Sequence, residues 1–388
     1  MTDDVVVLGS GYAGTGAVKK LESELDDTAD LTWVSDVDHH LVLHESHRCI
    51  RDLNIEEKIT FDVDEIKSPS TRFVQGRVEA VDEDAREITL ADDSTIEYDY
   101  LLVGFGSQTA FFGIDGLKEH SLTLKSLEDA LEIHDAIGQA AREASRNDPA
   151  QVVVGGAGLS GIQSAGEIAE FRDKHRAPLD IHLVEGLDNV FPNNDPVVQA
   201  KLRKLLEETD VEIHTGEFIG EVDEETVYVG EEKELDWDVL LWTGGITGQD
   251  AAETVDVDKD ERSNRIEAAS NFQTTDERIF ALGDAALVDQ PDQDNPAPPT
   301  AQAAWQAAEV AGENIARDIR GQPLKEWTYD DKGTLISVGS KAVAHNVKGL
   351  PVDTFGGPAA KALKKTVAAR WIKKVNGFAD AAKAFPDM

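Results

Sequence analysis

Three glycines within six residues, Gly9, Gly11 and Gly14 in GSGYAG, follow a short apolar run from Val5 to Leu8. Thr15 to Leu25 then read as a helix, and a second apolar run, Leu31 to Val34, ends at Asp36, 22 residues after Gly14. Strand, GxGxxG, helix, strand and acid at this spacing form a dinucleotide-binding fingerprint. Its chemistry is anion capture. The glycines permit a tight turn and let the backbone approach a pyrophosphate, which sits on the helix N-terminus. Asp36 can accept hydrogen bonds from a ribose diol. The unit occurs twice. Gln151 to Val154 read as a strand, Gly156, Gly158 and Gly161 follow, a helix runs from about Leu159 to Phe171, and LDIHLVE ends at Glu185, 24 residues after Gly161. The stretch GLDN after it holds no Lys or Arg. A 2′-phosphate would want a basic partner there, so the second site is expected to prefer NADH to NADPH. Two such sites predict two bound dinucleotides.

Further segments complete the pattern. YDYLLVGFGS ends the first half with an apolar strand and a turn holding Gly104 and Gly106. TTDERIFALGD is a strand ending in Gly283 and Asp284, and PAPPTAQAAWQAAEVAGENIA continues as a helix starting near Pro299. With these residues in place the chain resembles the two-dinucleotide-domain flavoproteins of the pyridine nucleotide-disulfide oxidoreductase superfamily. Within them it looks like the type II NADH dehydrogenases, over nearly its whole length. GSGYAG, VGGAGLSGIQSAGE, LLWTGG and IFALGD are shared across the superfamily; Ala301-Gln302 in PPTAQAAWQAA is more particular.

The resemblance implies an α/β fold of two Rossmann-like, glutathione-reductase-like domains, with FAD at the first site and NADH at the second. Asp284 would hold the flavin ribityl chain. The helix N-terminus near Ala301 would face the flavin pyrimidine edge, where its partial positive charge stabilises the reduced ring. Gln302 would face a quinone pocket, and Trp242 to Gly245, with Gly244 at the turn, would close over the nicotinamide. Hydride would pass from nicotinamide C4 to flavin N5, and electrons onward to a membrane quinone without proton pumping. One departure stands out. The family often carries Glu two residues after the last glycine of the second fingerprint, where this chain has Gln163. Glutamine hydrogen-bonds but cannot ionise, which puts quinone protonation through that residue in doubt. Glu167 is retained.

Two clusters offer alternatives. Cys49, in HESHRCIRD, lies 13 residues after Asp36 between Arg48 and Arg51. Flanking cations can activate a thiolate, and single-cysteine relatives place a catalytic thiol near here. The spacing is a few residues too long, and the tail is too short for their dimerisation domain, so an inert thiol is expected. Sulfide:quinone reductases need at least two cysteines, and this chain has one. His40, His44 and His47 could face one side of a helix and bind a metal. A loop beside the adenine ribose is the simpler home, and no metal is assigned. Two other readings stay open: a soluble NADH-dependent reductase serving a ferredoxin-type carrier or a thiol compound through Cys49, and a flavin-binding redox sensor without fast turnover.

The elements that must position these residues follow from length and charge. The chain has 388 residues, enough for two or three domains. The pattern predicts an FAD-binding domain at 1–115 resumed at 250–330, an NAD-binding domain at 116–249, and a C-terminal segment at 331–388. The net charge is −39, dispersed along the chain, as in a protein adapted to a molar-salt cytosol. Phosphate contacts need a basic footprint, so nucleic acid is excluded as a partner. One cysteine excludes an intramolecular disulfide. The N-terminal run enters a strand almost at once, predicting no signal peptide, and no run of 18 apolar residues predicts a spanning helix.

Lys332 to Met388 hold ten basic and three acidic residues, a +7 segment on a −46 body. Within it Leu363, Val367, Trp371, Val375 and Phe378 fall at helical spacing, rimmed by lysines. That pattern predicts an amphipathic helix lying on an anionic membrane surface, hence a cytoplasmic enzyme peripheral on the inner face of the cell membrane. A homodimer stays open.

Overall fold

The structure, a computed structural model, describes residues 2–26, 28–291 and 293–387. Strand β1 (Asp3–Leu8), helix α1 (Tyr12–Glu24), β2 (Ala29–Ser35), β3 (Arg72–Gln75) and β4 (Tyr100–Val103) open the chain. Then come α2 (Leu127–Glu143), β5 (Ala150–Gly155), α3 (Leu159–His175), β6 (Leu179–Glu185), β7 (Val211–Thr215) and β8 (Val239–Trp242). Strand β9 (Ile279–Ala281), α4 (Ala301–Ile319) and α5 (Pro358–Asn376) close it.

The first sheet is parallel with order β9-β4-β1-β2-β3. Val5 to Leu8 at its centre are buried on both faces, which is why they read as one unbroken apolar run. Helices α1 and α4 meet through small residues: a Cβ on Gly16 would lie 2.7 Å from the Ala308 Cβ. The second sheet, also parallel, has order β7-β6-β5-β8. One of its faces is covered by three antiparallel strands, Ile219–Val222, Thr226–Val229 and Lys233–Asp236, whose Val227 and Val229 pack on Val153, Val184 and Leu240. The chain leaves the first sheet after Val103 and rejoins it at Ile279, so the second sheet is an insertion within the first. Both crossings run through one short antiparallel ladder, Ser107–Thr109 against Ile246–Gly248. We retain the domain limits given above as a proposal.

Boundaries moved by a few residues. Helix α4 starts at Ala301 because Pro298 and Pro299 precede a cap: the Thr300 hydroxyl accepts from the Ala303 N–H at 3.2 Å. Helix α3 continues to His175 and ends where Arg176 turns left-handed at φ 53°.

Two expectations need correction. His40 is not on a helix with His44 and His47. It lies in the strand His39–Leu41, and the other two are on a 3-10 helix, Leu43–Ile50. The second correction concerns the C-terminal helix. Its segment is a three-stranded antiparallel sheet (Thr334–Val338, Lys341–His345, Thr354–Gly356), then α5, then a short helix Phe378–Ala384. The five apolar residues do not form one outward face. Trp371 is 0% exposed and Val375 is buried, whereas Val367 is 39% and Phe378 73% exposed. Trp371 fills a slot between Tyr12 and Trp305, with ring centroids 4.6 and 4.8 Å away. Helical spacing reports an apolar face and not what covers it; here the protein buries Trp371 and Val375, half-buries Leu363 and leaves the other two exposed.

Candidate active site

The first cradle forms where β1 turns into α1. Gly9 has φ +97°, a left-handed conformation that favours glycine. A Cβ on Gly14 would fall 1.8 Å from the Gly9 carbonyl oxygen, so helix and turn can close only on glycine. Gly11, the N-cap of α1, is different: a Cβ there meets nothing within 4 Å, and the space above the helix N-terminus is open. The turn is fixed from outside. The Trp33 indole N–H donates to Gly9 O at 2.8 Å, and Ser10 Oγ donates to His39 O at 2.8 Å. His40 bridges the cradle to the C-terminal segment. Its Nδ1 lies 2.7 Å from Ser10 O, and its Nε2 accepts from the Trp371 indole at 2.8 Å. Burial lowers the His40 pKa to about 4, so the ring is neutral at physiological pH. Asp36, just past the end of β2, is exposed.

The second cradle repeats the first. A Cβ on Gly161 would lie 1.8 Å from Gly156 O, Gly156 packs against the backbone of Gly244, and Gly158 is open at the N-terminus of α3. Glu185 is buried at the end of β6. Its carboxylate accepts from Ala157 N at 2.8 Å and Leu187 N at 3.0 Å. The same carboxylate therefore ties the glycine turn to the chain just after β6, one oxygen to each. Trp242 is anchored by its indole N–H to Ala110 O at 2.8 Å, with Phe112 edge-on to it.

Beside the first cradle, Gly283 joins the N-terminal ends of α1 and α4: its Cβ would meet Ala13 at 2.9 Å and Ala304 at 3.6 Å. Asp284 and Ala301 are half-buried there, and Gly106 turns with open space at its Cβ position. Two residues the sequence reading missed brace this point. Arg265 donates to Asp284 O at 2.9 Å. Lys125, half-buried, donates to Ser107 Oγ at 3.2 Å; burial lowers its pKa, partly offset by the Asp284 carboxylate. Gln302 has its amide engaged, accepting from Lys332 N at 2.7 Å and donating to Gly333 O at 3.3 Å.

A buried polar network, also missed from sequence, lies under α5. Lys364 is buried and donates to Gln163 Oε1 at 3.0 Å and Ser337 Oγ at 2.8 Å, with Glu45 Oε1 at 3.3 Å. Burial would raise the Glu45 carboxyl, but Lys364, His44 and Arg48 together hold it below the ordinary value. Burial lowers the His44 pKa to about 4 and pushes His47 well below its ordinary value. Glu167, 3.1 Å from the Arg51 Nε, is pushed by burial to about 7 despite that partner. Gln163 thus sits at the centre of this network rather than apart from it. Cys49 is fully buried, and burial pushes its thiol up to about 12. Arg48 opposes that rise without reversing it, so the thiolate is scarce at neutral pH.

The chain is similar to known proteins in sequence and in fold. The family model described as pyridine nucleotide-disulphide oxidoreductase matches residues 3–308. A type II NADH:quinone oxidoreductase of Staphylococcus aureus is 27% identical over 392 residues, covering 96% of each chain. One from Staphylococcus epidermidis is 29% identical with the same coverage. Among solved structures, NDH2 from Plasmodium falciparum in complex with NADH superposes with a TM-score of 0.84 at 16% identity, covering 100% of this chain and 98% of that one. The sulfide:quinone oxidoreductase of Aquifex aeolicus gives 0.80 at 19% identity, covering 97% and 92%. These two structures share the fold.

Proposed function

The chain belongs to the pyridine nucleotide-disulphide oxidoreductase family, and from that membership we propose that it is an NADH:quinone oxidoreductase that works through bound FAD and does not pump protons. The observation that carries the reading is the pair of equivalent glycine cradles, the first of which lies against Gly283 and the N-terminal turn of α4. The full-length similarity to curated type II NADH:quinone oxidoreductases supports the acceptor.

FAD would lie on Gly9, Gly11 and Gly14 with Asp36 at its ribose; Gly106, Asp284 and Ala301 would flank the ring end. NADH would lie on Gly156, Gly158 and Gly161 with Glu185 at its ribose, under Trp242 and Gly244. When bound, FAD supplies the two-electron chemistry between NADH and the acceptor. The residues do the rest. The N-terminal dipole of α4 favours negative charge at the ring edge. The buried Glu185 carboxylate disfavours a 2′-phosphate. Glu167 titrates near neutrality and can hold a proton, whereas Gln163 orients Lys364 and Ser337 through hydrogen bonds. Gln302 belongs to the acceptor side in this reading.

No helix among the described residues is long and apolar enough to cross a membrane. We place membrane contact on Val367, Phe378 and Phe385, the large apolar side chains that the two C-terminal helices and their end leave exposed. The Lys373 Nζ lies 6.0 Å from the Phe378 ring centre, and the Lys365 Nζ 6.0 Å from that of Phe385. That pairing of apolar body with cationic rim suits an anionic interface. The dispersed acid belongs, in the same reading, to a molar-salt cytosol.

The test is steady-state turnover of the purified protein with a water-soluble menaquinone analogue or a ferredoxin as acceptor. Turnover of NADH with the quinone, little with NADPH, and retained turnover in Cys49→Ala are expected. Electrons passing only to the ferredoxin would overturn the quinone assignment. Loss of turnover in Cys49→Ala with flavin reduction intact would replace it with thiol chemistry.

A further inference from the structure

On the strands of the second sheet, His182 of β6 stands opposite Glu212 of β7, and His214 follows two residues later. The side chains converge on one another. His182 Nδ1 is 3.0 Å from Glu212 Oε2 and 3.2 Å from His214 Nε2, and His214 Nε2 is 3.7 Å from Glu212 Oε2. Zinc bonds to imidazole and carboxylate of about 2.0–2.2 Å place tetrahedral donor atoms about 3.3 Å apart. The observed triangle brackets that edge length. We propose that His182, His214 and Glu212 bind a zinc-class divalent transition-metal cation, which ties the edge strand β7 to β6.

The neighbouring residues prepare the donors. Gln151 Nε2 donates to Pro149 O at 2.9 Å, which fixes Oε1 as the end 2.9 Å from His182 Nε2. His182 therefore carries a proton on Nε2 and turns the Nδ1 lone pair toward the triangle, as an outer-sphere partner orients a ligating histidine. Lys233 donates to His214 Nδ1, so without a cation the His214 proton sits on Nε2, inside the triangle. That single proton faces two acceptors. A cation takes its place: the proton moves from Nε2 to Nδ1, and the Lys233 ammonium is displaced toward solvent. No net proton is released in that exchange. The two histidine side chains are 12% and 16% exposed and Glu212 is 69% exposed. The site therefore opens on the carboxylate side, where water can complete the coordination.

The donor set selects the metal. Two imidazoles favour zinc, cobalt, nickel or copper over magnesium or calcium, which prefer oxygen. The site is separate from the nucleotide cradle. His182 precedes Glu185 by three residues, about 10 Å along the strand, and side chains at that odd spacing point to opposite faces.

The experiment titrates untagged, full-length flavoprotein with Co2+ and follows its visible absorption. One equivalent should bind and be displaced by Zn2+, while equal Mg2+ has no effect. His182→Gln and His214→Gln should each weaken binding at least about tenfold. Lys233→Met should tighten it, because the competing ammonium is gone. Equal affinity in wild type and both histidine variants, or displacement by Mg2+, would mean diffuse attraction to the acidic surface and overturn the site. If the histidine variants do not fold, Lys233→Met decides alone: unchanged or weaker binding overturns it.

Discussion

Gly11 and Gly14 differ by three positions and have opposite sensitivities. Gly11 has φ −72° and open space around its Cβ position, so Gly11→Ala should fold normally and lose flavin, because the methyl stands where the pyrophosphate approaches. Gly14→Ala would press on Gly9 O and should cost folding stability of about 1–3 kcal/mol or more. The flavin-to-protein absorbance ratio and the melting temperature separate the two; a fully flavinated Gly11→Ala protein would contradict the assignment of the cradle. Glu167 gives a second test. Its carboxyl titrates at 4.5 in the unfolded chain and at about 7 when folded. Between those values the folded state holds a proton that the unfolded state has lost, so this group's contribution to stability falls as pH rises from about 4.5 to 7. Glu167→Gln should flatten that part of the melting temperature profile, and an identical profile would contradict the burial argument. The glycines and their acids were legible in the sequence because their spacing is local. The Glu45–Lys364 and Glu167–Arg51 pairs were not, because each joins residues distant in the chain and no local pattern marks a buried ion.

At the level of elements, both strand–glycine–helix units could be read from sequence, since a strand buried on both faces leaves an unbroken apolar run and the glycines after it keep a fixed spacing. The tail could not. Its apolar spacing was real, but it records packing of Trp371 on Tyr12 and His40, together with an exposed remainder. Residues 334–356 form strands that no periodicity had suggested. The membrane reading therefore narrows to Phe378, Phe385 and Val367. Burying a large apolar side chain supplies about 1.5–3 kcal/mol, so Phe378→Ser with Phe385→Ser should lower binding to anionic vesicles roughly tenfold or more. The apolar term should let the wild type keep some binding in high salt, where the lysine contribution is screened. Co-flotation with vesicles across a salt series measures both. Equal flotation of wild type and variant would place the contact elsewhere, and none in either would favour a soluble enzyme.

For the whole molecule, the second sheet is inserted between β4 and β9 of the first, so both chain crossings between the two dinucleotide units run side by side. Charge and length indicated an acidic chain of several domains; the paired ladder at residues 107–109 and 246–248 shows how the two halves are hinged together. The central claim is that electrons enter from NADH at one cradle, cross the flavin held by the other, and leave to a quinone. Anaerobic rapid mixing follows this directly in one sample. NADH should bleach the flavin absorbance far faster than NADPH, and a following addition of the menaquinone analogue should restore it within a turnover. Equal bleaching by both nucleotides, or a reduced flavin that the quinone leaves bleached, would contradict the account.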